Sequence, residues 1–93
     1  MIRSFASAET ERFFAAGKSQ RLPSEIRKRA TMRLTQLNAA TRLDDLRVPP
    51  SNRLEALKYD RKGQWSVRIN DQWRVCFRFQ NGDAFDVEIV DYH

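Results

Sequence analysis

The chain has 93 residues, 41% hydrophobic and 31% charged, enough apolar surface for one modest core and too much for a generally disordered chain. Its 17 Lys and Arg against 12 Asp and Glu give a net charge of +5 and a pI near 10.0, which favours a polyanionic or acidic partner: nucleic acid, ribosome or acidic protein. A single Cys and a single His exclude an internal disulfide and a four-ligand His/Cys metal site within one chain, so one cytoplasmic domain over residues 1–93, with no metal or cofactor, is expected.

Ile2 to Phe5 reads as a short strand. The start lacks the apolar core of a signal peptide and no apolar run approaches membrane-spanning length, so neither export nor membrane insertion is expected. Ser7 can cap a helix with Glu9 and Glu11 in its first turn, near the positive helix end, and Gly17 would stop it. Pro23-Ser24 opens a second helix in which Ile26, Ala30, Leu34, Leu37 and Thr41 follow four- and three-residue steps along one face. The flanking Arg27, Lys28, Arg29 and Arg33 read as a solvated helix face. From Arg42 to Asn52 the pattern breaks at Pro49-Pro50, which lacks backbone donors, and this segment connects helices to sheet.

The second half alternates with period two: Trp65, Val67, Ile69; then Trp73, Val75, Phe77, Phe79; then Phe85, Val87, Ile89. Three antiparallel strands follow. A two-residue Asn81-Gly82 loop would put the last two apolar sets on opposite faces, so the alternation predicts a three-residue loop, Asn81-Gly82-Asp83, aligning Phe79 with Phe85, Phe77 with Val87 and Val75 with Ile89. The same reasoning at Asn70-Asp71-Gln72 pairs Trp65 with Phe77 and Val67 with Val75, leaving one apolar face for the helices. The fold class is therefore α+β, a two-layer domain with a short N-terminal strand and two helices packed on one face of an antiparallel sheet.

That register sets Arg68 opposite Arg74 on the face the helices leave open, a like-charge pair that destabilises a sheet unless an anion or a carboxylate intervenes. Glu88, roughly diagonal to Arg74, is one resolution, with a solvated face; a phosphate site is the other. Residues 53–78 hold seven basic side chains (Arg53, Lys58, Arg61, Lys62, Arg68, Arg74, Arg78) against three acidic ones (Glu55, Asp60, Asp71), a positive field of the kind single-stranded RNA seeks. Arg74 is the best single phosphate ligand, with Arg68 and Arg78 beside it.

The last strand runs into Asp91-Tyr92-His93. Metal-independent RNA cleavage requires a base for the ribose 2′-OH, cations for the charge gathering on the phosphorus and an acid for the leaving oxygen. His93 is the only imidazole, with an unperturbed pKa of about 6.5. A terminal His is equally a frayed tail, and Asp91 and Tyr92 each have structural roles as alternatives: an Arg partner for the first, closure of the core for the second. Cys76, Trp65 and Trp73 read as core.

The order strand, two helices, antiparallel sheet resembles the RelE superfamily. Asn52-Arg-Leu-Glu-Ala-Leu-Lys58, Gly63-Gln-Trp-Ser-Val-Arg-Ile-Asn-Asp-Gln-Trp-Arg74 and Val90-Asp-Tyr-His93 resemble its HigB branch over nearly the whole chain. The resemblance implies the toxin of a type II toxin-antitoxin system, a ribosome-dependent mRNA endonuclease. It also implies a helix-turn-helix antitoxin that blocks the toxin and carries the pair to operator DNA. By residue it implies catalytic roles for Arg74, Lys58, Asp91, Tyr92 and His93. Lys58 is placed there by resemblance alone, because the hairpin register puts it about 13 Å along the sheet over four residues. Some HigB toxins carry His-Pro where this chain has Glu55-Ala56, so Glu55 either accepts a proton or binds an Arg and lowers activity. Two other classes stand beside this reading: a noncatalytic toxin that binds the ribosome and blocks assembly or decoding, and a harmless binding module.

Overall fold

A computed structural model of the chain describes residues 1–91. Helix α1 (Ala8–Ala16) and helix α2 (Ser24–Ala39) are followed by two short 3-10 turns, Leu43–Arg47 and Pro50–Asn52. Strand β1 (Glu55–Ala56) leads through a third such turn, Tyr59–Arg61, to β2 (Trp65–Arg68), β3 (Trp73–Gln80) and β4 (Asp83–Asp91). The strands form one antiparallel sheet in the order β1-β2-β3-β4. The N-terminal segment runs parallel to β4, bridging Ile2 to Ala84 and Phe5 to Val87, with Arg3 N–H donating to the Ala84 carbonyl at 2.7 Å and Ala6 N–H to Val87 at 3.0 Å.

Local chemistry sets the helix ends. Ser7 Oγ accepts from Thr10 N–H at 3.2 Å, and Gly17, at φ 72, returns its N–H to the Phe13 carbonyl at 2.7 Å, the left-handed stop that lacks a Cβ penalty only for glycine. Thr10 looks the other way: its Oγ1 accepts from Ile89 N–H at 3.1 Å on the outer edge of β4. In α2 the stripe Ile26, Ala30, Leu34 and Leu37 is buried as predicted, but the helix ends at Ala39, so Ala40 takes the next inward place and Thr41 is exposed beyond it. Arg33 also departs from the solvated face expected of it. It is 7% exposed, and its Nε donates to the Arg68 carbonyl at 2.8 Å, while Arg29 reaches the Ile69 carbonyl at 3.3 Å. The two arginines satisfy backbone acceptors at the end of β2 that the sheet leaves unpaired.

The core is a single cluster in which Phe13, Ile26, Leu34 and Leu37 meet Val67, Val75, Phe77, Ala84 and Val87, with Trp65 and Trp73 packed at its margin. The β2–β3 register is the predicted one, Trp65 opposite Phe77, Val67 opposite Val75 and Arg68 opposite Arg74. The β3–β4 register is the predicted one only at its far end, Val75 opposite Ile89. Near the turn the loop is two residues, Asn81 and Gly82, both at positive φ (53 and 83), and Gln80 faces Asp83. The odd residue that alternation requires sits instead in a bulge at Asp86, φ 53, across from the Cys76–Arg78 stretch. Phe79 therefore faces Ala84, which is fully buried, and Phe85 pairs with Arg78 rather than entering the core.

A fourth strand was missed by periodicity. β1 is only two residues, both exposed, with Glu55 opposite Ser66 and Ala56 opposite Trp65. It is positioned by Asn52, fully buried, whose Nδ2 donates to Gln36 Oε1 at 2.8 Å and to the Leu46 carbonyl at 3.1 Å.

Candidate functional site: the helix-free face of the sheet

Strand pairing places Glu55 of β1, Ser66 and Arg68 of β2, Arg74, Cys76 and Arg78 of β3, and Glu88 and Val90 of β4 on the face away from the helices. The Arg68–Arg74 rung stands at its centre. Arg74 Nε donates to Ser66 Oγ at 2.8 Å and an Nη2 proton goes to the Arg53 carbonyl at 2.8 Å, so its guanidinium reaches across β2 toward the approach to β1. Arg68 pairs instead with Asp71 in the β2–β3 turn. Glu88, the carboxylate that would have neutralised Arg74, is joined to Arg61 at 3.2 Å. The two guanidinium groups of the rung are thus anchored separately.

The segment between β1 and β2 forms an arm over the other half of this face. Leu57, buried, fixes its base with an N–H bond to the Gln64 carbonyl at 2.9 Å, and Arg61 crosses to hold Gln64 Oε1 and Glu88 Oε1, each at 3.2 Å. Beneath it Cys76 is fully buried, and that burial pushes its thiol up from the ordinary value, making it an inert core side chain. Arg78 pairs with Asp86 at 3.3 Å, and its Nη1 lies 2.9 Å from where a Cβ on Gly63 would stand, so it is tucked against the arm four residues along β3 from Arg74.

The structure therefore divides the predicted set. Arg74, Arg68 and Glu55 share the open half of the face. Lys58 lies at the base of the arm, in a shallow hollow with Glu55 and Tyr59, and Arg78 lies under the arm's far side. Asp91 sits opposite Trp73, one step of the pleat from Val90 and Arg74, and accepts from Gln72 Nε2 at 3.1 Å. Tyr92 and His93, the rest of the terminal triplet, lie outside the described residues.

Four contributors escaped the sequence reading. Ser66 and the Arg53 carbonyl orient Arg74, and only Ser66 left a trace, as the small polar residue at an outward position. Arg61 was counted for charge alone. Arg33 adds to the field from behind: burial first, then the nearby charges of Arg29 and Arg68, weaken its hold on its proton. Among the described residues no group of three or more His, Cys, Asp and Glu is placed to hold a metal ion. What the described face offers is fixed cationic donors, with Asp71, Asp86 and Glu88 each joined to an arginine and Glu55 beside them: an arrangement suited to binding and orienting a phosphodiester.

Comparison with known proteins agrees in kind. A family model described as the RelE-like toxin of the type II toxin-antitoxin system HigB matches residues 3–93. Among curated proteins, the "Endoribonuclease HigB" of Proteus vulgaris is 34% identical over 93 residues, covering 100% of both chains. The "Toxin HigB-1" of Vibrio cholerae is 38% identical over 87 residues, covering 92% of each. Among solved structures, a chain of the YoeB-YefM complex from Staphylococcus aureus superposes with a TM-score of 0.62 at 16% identity, covering 100% of this chain and 98% of that one, a likeness of fold alone. No helix of the described residues is long and apolar enough to cross a membrane.

Proposed function

The chain belongs to the HigB family of RelE-like toxins, and on that premise we propose that it inhibits translation as a ribosome-dependent mRNA endonuclease held in check by a helix-turn-helix antitoxin. The observation that carries this reading is the Arg68–Arg74 rung on the helix-free face, with Arg74 held by Ser66 Oγ and the Arg53 carbonyl, each at 2.8 Å. A guanidinium fixed in advance offers its charge to the scissile phosphate without reorganising when charge builds up there.

In this reading the ribose 2′-OH attacks the adjacent phosphorus, a P–O5′ bond breaks, and a 2′,3′-cyclic phosphate and a 5′-OH result, with no metal. Arg74 stabilises the equatorial oxygens; His93, with Asp91 and Tyr92 in the same terminal triplet, and Lys58 supply proton transfer and further charge. Arg68 and Arg78 take flanking phosphates, and Glu55 is a second proton acceptor. The dispersal of Lys58 and Arg78 along the face agrees with an enzyme that relies on the ribosome to bring its substrate into line, since positioning alone lowers a barrier substantially. Free RNA is accordingly a poor substrate.

Primer extension on mRNA from a translating extract tests the proposal. New 5′ ends are expected with the wild-type chain, at least a hundredfold fewer with Arg74→Ala or with His93 deleted, on the order expected for loss of one charge-stabilising group. Growth arrest without new 5′ ends would assign the chain to noncatalytic ribosome binding instead.

A further inference from the structure

Tyr59 stands apart from every other aromatic side chain among the described residues. It is 91% exposed, whereas the Trp and Phe side chains are buried or half-buried. Its backbone sits at φ 59, the left-handed region that costs an L residue with a Cβ about 1–2 kcal/mol. Packing does not explain this side chain, and local backbone preference opposes it. A strained residue that presents a large flat group to solvent is the pattern of a contact surface.

The surroundings say what kind of contact. Tyr59 opens the 3-10 turn of the arm, next to Lys58, where Arg61 N–H bonds the Lys58 carbonyl at 3.2 Å and Lys62 N–H bonds the Tyr59 carbonyl at 3.0 Å. The arm is braced at both ends, by buried Leu57 and by the Arg61–Glu88 pair at 3.2 Å, so the ring is presented from a rigid support. Lys58 and Lys62 flank it, both exposed and neither in an ion pair among the described residues; Glu55 and Asp60 are the nearby carboxylates. Cations beside a solvent-facing ring are the two halves of a single-stranded nucleic-acid contact, phosphate on the first and an unpaired base on the second.

We propose that Tyr59 is a stacking platform for one unpaired base of the bound RNA, with Lys62 on an adjoining phosphate, so that the strand runs from the Arg74 rung past Lys58 to the arm. This rests on the endonuclease reading and adds to it a positioning residue that takes no part in proton transfer.

The test compares the wild-type chain with Tyr59→Ala, Tyr59→Phe and Lys62→Ala in two assays. In the first, cleavage of mRNA on purified programmed ribosomes is followed as a function of toxin concentration. Tyr59→Ala is expected to raise the half-saturating concentration about tenfold with little change in the maximal rate, and Tyr59→Phe to restore it, because stacking needs the ring and not the hydroxyl. In the second, fluorescence anisotropy of a labelled single-stranded hexaribonucleotide is titrated at several salt concentrations. Tyr59→Ala should weaken binding without altering its salt slope, whereas Lys62→Ala should flatten the slope by about 0.7. Unchanged cleavage and unchanged hexamer binding in Tyr59→Ala overturn the proposal while leaving the endonuclease intact. Loss of antitoxin neutralisation with RNA binding retained overturns it too, and assigns the ring to a protein contact. A wild-type chain that does not cut overturns the endonuclease reading, and hexamer binding then decides on Tyr59 alone.

Discussion

Among the described residues Arg74 donates to two fixed acceptors, Ser66 Oγ and the Arg53 carbonyl, which sets the plane of the guanidinium before any substrate arrives. Ser66→Ala keeps the charge and removes one anchor. Cleavage on ribosomes should fall about tenfold, the loss expected for one hydrogen bond to a charged group, with only a small shift in thermal midpoint. Arg74→Lys also keeps the charge but not the fork, and should lose at least as much activity. Tyr59 makes the opposite case, a residue whose removal improves the fold. Tyr59→Gly relieves φ 59 and should raise stability by about 1 kcal/mol, or about 5 °C in the midpoint by scanning calorimetry, while losing the proposed RNA contact. Arg68 opposite Arg74 was legible because alternation fixes the faces and the three-residue Asn70-Asp71-Gln72 connection fixes the register. The anchors were not, since a guanidinium's acceptors depend on side-chain reach, to which periodicity is blind.

At the scale of elements, the β3–β4 hairpin shows how a correct rule can be applied in the wrong place. Alternation demanded one extra residue between Phe79 and Phe85, and it cannot distinguish a loop residue from a bulge residue. Asn81-Gly82 is the sequence signal for a two-residue turn, and the chain obeys it, moving the extra residue to Asp86. Gly82→Ala should cost about 1–2 kcal/mol, read as a lower urea midpoint at unchanged slope. A side chain there meets φ 83 and a Cβ 3.0 Å from the Thr41 carbonyl oxygen. β1 was invisible for another reason: two exposed residues have no period. The connections around the helices carry their own pH dependence. Glu9 is held below the ordinary carboxylate value by Ser19 and then Arg12, and Asp45 by the N–H groups of Thr41 and Arg42. Both carboxyls are more acidic folded than unfolded, so their contribution is complete above the unfolded value and is lost as pH falls through the folded one. Stability should be flat on their account from pH 7 to about 5 and drop below about 4, and Asp45→Asn should shallow that drop in urea midpoints taken across the range.

For the molecule as a whole, helices packed on one face of the sheet leave its arginine-bearing face open, in keeping with the net charge of +5 read from composition. Fold class and the central rung were legible at the outset; the division of the face by the arm was not, because Arg61 meets Glu88 across 27 residues of sequence and three strands. Ribosome association should weaken with rising KCl, and Arg68→Ala should reduce the slope of log affinity against log salt, as loss of one phosphate contact requires. The bond from Ile89 N–H to Thr10 Oγ1 ties the strand that ends in Asp91 to α1, not to another strand. An amide on a sheet's outer edge ordinarily trades its proton with water quickly; this one is shielded only while the helix stays docked. Deuterium uptake at Ile89 is therefore a gauge of helix docking, read two residues from Asp91, and an antitoxin that pried α1 loose would announce itself there before any change in the core.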